Sequence, residues 1–147
     1  SLRNKEFKDE IYSLITNKFL DPKRIVFEIY EKEIYDEIPR LNEIITQFKE
    51  YGFEIAINQF FGNNASFEYF KYIDFDYVIY DLEVNKNFAR GNKIRDMFDI
   101  INNSSSKFKT KTIIRFVDKA KLYNELLKTD IDYIQGFYID KPTKIEI

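Results

Sequence analysis

Glu28, Asn58, Gln59, Ile79, Asp81, Arg115, Asp118 and Gln135 stand at or just beyond the ends of short apolar runs. In a parallel α/β fold those are the carboxyl ends of strands, where functional groups gather. The residue types limit what such a site can do. The chain has no His and no Cys. A Ser-His-Asp or Cys-His relay, an imidazole ligand, a thiolate nucleophile, a disulfide framework and a sulfur-ligated zinc are all excluded. Chemistry here must run on carboxylates, Lys, Tyr or hydroxyls. Read from composition alone, the fitting partner for such groups is an oxygen-ligated Mg²⁺ or Ca²⁺.

The elements that would position these residues follow from the apolar pattern. Runs rich in Ile, Val, Phe and Tyr recur at Ile25 to Tyr30, Phe53 to Ile57, Asp76 to Tyr80, Thr112 to Val117 and Tyr133 to Tyr138. Most are continuous rather than alternating, the signature of strands buried on both faces. Helical spacing separates them. Phe7, Ile11, Leu14 and Ile15 precede an Asp21-Pro22 turn, and Leu41, Ile44, Ile45 and Phe48 lead to Gly52, which is placed to end a helix. Ile94, Met97, Phe98 and Ile101, and then Ala120, Tyr123, Leu126 and Leu127, repeat the spacing. Strand and helix alternating in this way predict βα units on a parallel sheet.

At 147 residues the chain fits one domain, taken as residues 1–147 because no Pro, Gly or Ser-rich linker divides it. Gly62-Asn63-Asn64 and Asn102-Asn103-Ser104-Ser105-Ser106 read as loops. A net charge of −2 gives no electrostatic case for nucleic acid. No apolar run approaches the roughly 18 residues that span a bilayer, and no signal peptide is visible, so no membrane contact and a cytoplasmic location are expected. The Phe and Tyr residues fall at helix and strand spacings and read as core.

Taken in order, the strand ends resemble the C-terminal portion of the EAL family, the bacterial cyclic di-GMP phosphodiesterase domains. The family pattern E-I-T-E, I-A-x-D-D-F-G, V-D-x-x-K-x-D, A-E-G-V-E and D-x-x-Q-G, with a closing Pro, is matched block by block. This chain has Glu28-Ile29-Tyr30-Glu31, Ile55-Ala56-Ile57-Asn58-Gln59-Phe60, and Phe75-Asp76-Tyr77-Val78-Ile79-Tyr80-Asp81. Ile114-Arg115-Phe116-Val117-Asp118, Asp132-Tyr133-Ile134-Gln135-Gly136 and Lys141-Pro142 complete it. The resemblance implies an α/β fold, a partial TIM-type barrel of about five largely parallel strands with helices outside. It also implies that the chain corresponds to the C-terminal part of an EAL domain, truncated at its N-terminus.

The resemblance assigns roles, and this chain departs from them. The metal-binding Asp pair is Asn58-Gln59, the catalytic Lys is Ile79, and the metal-binding Glu is Arg115, while Glu28, Asp81 and Gln135 survive beside Asp118. Acids lost and a guanidinium gained make the mouth more positive. A cation at about 4 Å from Arg115 would be repelled by a few kcal/mol at an effective dielectric of about 20. Amide oxygens replace carboxylates poorly around a hard divalent ion. The expectation is therefore no catalytic residue, no metal and no cofactor, with Arg115 bridging Glu28 and Asp81 in place of the ion.

Each surviving residue also has a plain structural reading: Glu28 and Asp81 as hydrogen-bonded carboxylates, Gln135-Gly136 as a close-packed strand. The function implied is an inactive EAL-like interaction or regulatory module. Its partner would be a protein or a second copy, because a partial barrel leaves open edges and an uncovered apolar face. The alternatives are a sensor that binds cyclic di-GMP without cleaving it, and a residual phosphodiesterase.

Overall fold

The computed structural model describes residues 4–34, 38–60, 69–81 and 109–141. Asn4 opens the first helix, α1 (Lys5–Thr16), its side-chain oxygen accepting the Glu6 and Phe7 amides and so satisfying donors the first turn leaves without partners. Asp21 caps the single turn Pro22–Arg24 in the same way, through the Lys23 amide. Strand β1 (Val26–Tyr30) follows, then helix α2 (Ile38–Glu50), and Gly52 at φ +99° turns the chain out of that helix into β2 (Glu54–Asn58). Strands β3 (Tyr77–Asp81) and β4 (Lys111–Arg115), helix α3 (Ala120–Leu126) and the short strand β5 (Tyr133–Ile134) complete the described elements.

The strands form one five-stranded sheet in the order β1-β2-β3-β4-β5, every pair parallel. Sequential order with parallel pairing is the connectivity of a barrel wall rather than of a doubly wound sheet. Strand alternation sorts the side chains into two layers. Ile29, Ile55, Ile57, Val78, Tyr80 and Ile114 share the face that joins the helices in the core. There Phe27 meets Phe7 of α1, Phe48 of α2 and Phe53 in edge-to-face contacts. Val26, Glu28, Ala56, Asn58, Ile79, Asp81, Arg115, Tyr133 and Gln135 alternate onto the other face, which is the inner wall.

At the amino ends of the strands, Lys49 of α2 donates to the Asp74 carboxylate at 2.8 Å and to Asp76 at 3.1 Å. The other Asp76 oxygen accepts the Ile55 amide at 2.8 Å. Asp132 repeats the device before β5, accepting from the Thr112 amide and hydroxyl. Each Asp thus pins the start of its strand to the preceding one.

Several expectations need correction. Only β2 and β3 are buried on both faces; β1 and β4 alternate. The reason is position: toward the flanks of the sheet the inner wall is uncovered, leaving Val26, Tyr30 and Tyr133 at 43%, 41% and 47% exposed. The fourth run ends at Arg115 rather than Val117, because Phe116 takes φ +66°. The last run is a strand only at Tyr133–Ile134. Beyond it Gly136 packs on the Val117 backbone, and the Ile139 and Asp140 amides turn back to the Gly136 carbonyl. Leu127 lies past the end of α3 and is exposed rather than on its buried stripe. The expected helix around Ile94–Ile101, both expected loops and Pro142 lie outside the described residues.

Candidate functional site at the carboxyl ends of the strands

On the inner wall, register staggers the site residues, with Asp81 and Arg115 four residues further along the ladder than Glu28 and Ala56. Glu28 of β1 pairs with Ala56 of β2, which places Asn58 one pleat beyond it, and Asp81 of β3 pairs with Arg115 of β4. The Arg115 guanidinium reaches across to Glu28 as a fork. Nη1 donates to Oε2 at 3.0 Å and Nη2 donates to Oε1. Asn58 Nδ2 donates to the same Glu28 Oε2 at 2.7 Å, and Arg115 Nε donates to Gln135 Oε1 at 3.1 Å. A single polar chain, Asn58-Glu28-Arg115-Gln135, therefore links β2, β1, β4 and β5.

Two strands separate β1 from β4 in the sheet. Three strand spacings in a flat sheet would put them about 14 Å apart, too far for one Glu and one Arg to make paired hydrogen bonds. Their contact requires the sheet to curl toward its inner face, as a barrel wall does.

Ile79 and Asp81 come from β3, between these partners. Ile79 is fully buried and brings no charge. Asp81 is also buried, but among the described residues the hydrogen bonds of Arg115 go to Glu28 and Gln135 and not to Asp81. The expected bridge is made on one carboxylate only. Asp118 does not join the chain of contacts. It lies beyond β4, where Oδ1 accepts the Phe137 amide at 3.2 Å and ties the turn after β5 to the one after β4. Gln59 follows Asn58 at φ +55°, its amide turned onto the Asn58 side-chain oxygen at 2.7 Å.

Left-handed residues close both β2 and β4, immediately after Asn58 and after Arg115. Such a conformation is unusual for Gln and costly for Phe. The Phe116 strain was legible in one signal, since the family pattern A-E-G-V-E has Gly at that place. A buried pair that the sequence reading missed lies behind the site: Tyr69 donates to the Glu31 carboxylate at 2.7 Å, both residues 1% exposed. Glu31 begins the turn after β1, three residues past Glu28. Lower on the inner wall, burial first and then the hydrogen bond to Glu54 push the Tyr77 phenol up to about 12.

The divalent metals implied by the resemblance can be tested against this donor set. Among the described residues, no group of three or more Asp or Glu side chains converges as a metal site would need. The carboxylate best placed, Glu28, has both oxygens engaged by a guanidinium that would repel an incoming cation by about 4 kcal/mol per unit charge at 4 Å. These residues do not fit the metal pair.

Comparisons with known proteins agree with this architecture. Among curated relatives, the chain is 24% identical over 99% of its length to the cyclic di-GMP phosphodiesterase PdeA of Borreliella burgdorferi, covering 22% of that protein. It is 28% identical over 80% of its length to the cyclic di-GMP phosphodiesterase PdeB of Shewanella oneidensis, covering 14%. In fold it is similar to the FimX EAL domain of Xanthomonas citri in complex with cyclic di-GMP, with a TM-score of 0.87 at 14% identity. That likeness covers 99% of this chain and 57% of that one. The FimX EAL domain of Pseudomonas aeruginosa bound to cyclic di-GMP gives 0.83 at 18% identity over 97% and 58%. The chain thus spans under a quarter of these curated relatives and under three-fifths of these solved domains. The family model for the EAL domain matches residues 1–142. On that match, the chain belongs to the EAL domain family.

Proposed function

We propose that this EAL domain does not hydrolyse cyclic di-GMP and serves as an interaction or regulatory module in cyclic di-GMP signalling. In this reading residues 1–147 form one cytoplasmic domain, corresponding to the C-terminal part of an EAL domain. The observation that carries it is the Arg115 fork on Glu28. Two-metal hydrolysis of a phosphodiester needs converging anionic oxygens around both ions. Here Asn58, Gln59, Ile79 and Arg115 hold the positions of the Asp pair, the Lys and a Glu, and Glu28 is neutralised by the chain itself. The partner is a protein or a second copy of the chain, for which the exposed inner-wall residues Val26, Tyr30 and Tyr133 supply apolar surface.

A second reading is favoured by the two FimX domains, whose structures contain cyclic di-GMP: binding without cleavage. Incubation with cyclic di-GMP and MnCl₂ tests the first statement. Intact cyclic dinucleotide is expected, whereas linear product that disappears in Glu28→Ala overturns it. Calorimetry separates the two readings, micromolar heat of binding selecting the sensor.

A further inference from the structure

The inner wall carries a cation of its own. Glu28 is a carboxylate at the mouth of a curled sheet, and what neutralises it is a side chain from a strand three places removed. The guanidinium is planar, permanently charged and matched to both carboxylate oxygens at once. Its third contact, Nε to Gln135, fixes its plane, and Asn58 holds the carboxylate from the other side.

We propose that Arg115 is the resident cation of this site. It stands in for a divalent ion at Glu28, selects against such ions, and closes the sheet by joining β1 to β4 and β5. This deepens the functional reading, because it rests on the same pair. It also extends that reading, since it assigns Arg115 as a positioning residue whose charge and shape both matter. Mg²⁺ or Mn²⁺ then finds its ligand occupied, and the domain is stable without either.

The test reads melting temperature, so it is independent of turnover. The wild-type protein is expected to melt at the same temperature with and without millimolar MgCl₂ or MnCl₂. Arg115→Ala is expected to melt about 3 °C lower. Millimolar methylguanidinium chloride, which returns the missing group, should recover part of that loss where NaCl at equal ionic strength does not. Arg115→Lys keeps a charge without the fork and should fall between the two proteins, giving a readout should the Ala variant not fold. A wild-type melting temperature raised by MnCl₂ overturns the proposal. So does an Arg115→Ala or Arg115→Lys protein as stable as the wild type, or recovery by NaCl equal to that by methylguanidinium. A chain that cleaves cyclic di-GMP yet ignores divalent ions in melting would refute the functional reading and not this one.

Discussion

Arg115 of β4 and Glu28 of β1 are joined by a pair of hydrogen bonds although β2 and β3 lie between their strands. Residues 87 apart in the chain are thereby tied across the concave side of the sheet. The pair is about a quarter to a third exposed, so water screens it, and it contributes about 1 kcal/mol rather than the several of a dry ion pair. Its larger consequence is chemical. A carboxylate at the mouth, available in principle to a metal, is committed to the protein.

Gly136 packs directly against the Val117 backbone beside this site. A Cβ there would lie 2.2 Å from the Val117 carbonyl oxygen and 2.3 Å from its nitrogen, both backbone atoms that cannot swing aside. Gly136→Ala is expected to destabilise the domain by about 2 kcal/mol or more, measured by urea unfolding. A loss within experimental error would show that the turn after β5 yields freely.

Phe116 holds φ +66° with its side chain 41% exposed, so strain is present with little burial to offset it. Phe116→Gly is expected to gain about 1 kcal/mol by relieving the left-handed conformation. Phe116→Ala keeps a Cβ and should gain nothing. Equal stabilities for the Gly and Ala variants would contradict a backbone origin.

The alkaline limb of stability follows from groups whose folded-state pKa is raised. Burial, then the Glu54 hydrogen bond, lift Tyr77 to about 12, and burial with the neighbouring Asp81 charge lifts Tyr80. For Lys49 burial works downward, but the Asp74 and Asp76 contacts outweigh it and the net direction is up. Each group favours the folded state fully below its unfolded value, near 10 for Tyr and 10.5 for Lys. That contribution is lost as pH rises through the folded value. Unfolding free energy should therefore fall between about pH 10 and 12, and Glu54→Gln should shift the Tyr77 contribution to lower pH. A flat profile across that interval would contradict these assignments.

The sheet was legible from the continuous Ile, Val, Phe and Tyr runs, and α1 and α2 from their apolar spacing, because burial against helices writes directly into periodicity. Phe116-Val117 and Phe137-Tyr138 misled for a related reason. Their strand-like residue types extend beyond the point where the backbone leaves the ladder, and what ends it is a left-handed turn and a Gly136 contact from 19 residues away in the chain. The candidate site was legible as a set of strand ends, including a guanidinium aimed at Glu28. That Arg115 takes Gln135 rather than Asp81 as its second partner was not, since it depends on how far the sheet curls. Nor was the commitment of Asp118 to the Phe137 amide, a contact between two turns.

The account rests on Arg115 and Glu28 acting as one unit, and a double-mutant cycle of Arg115→Gln and Glu28→Gln measures that directly. Unfolding free energies of the wild type, both single variants and the double variant are predicted to show a coupling of about 1 kcal/mol. The double variant should then lose less than the two single variants added together. Strictly additive losses, with no coupling between the two positions, would contradict it.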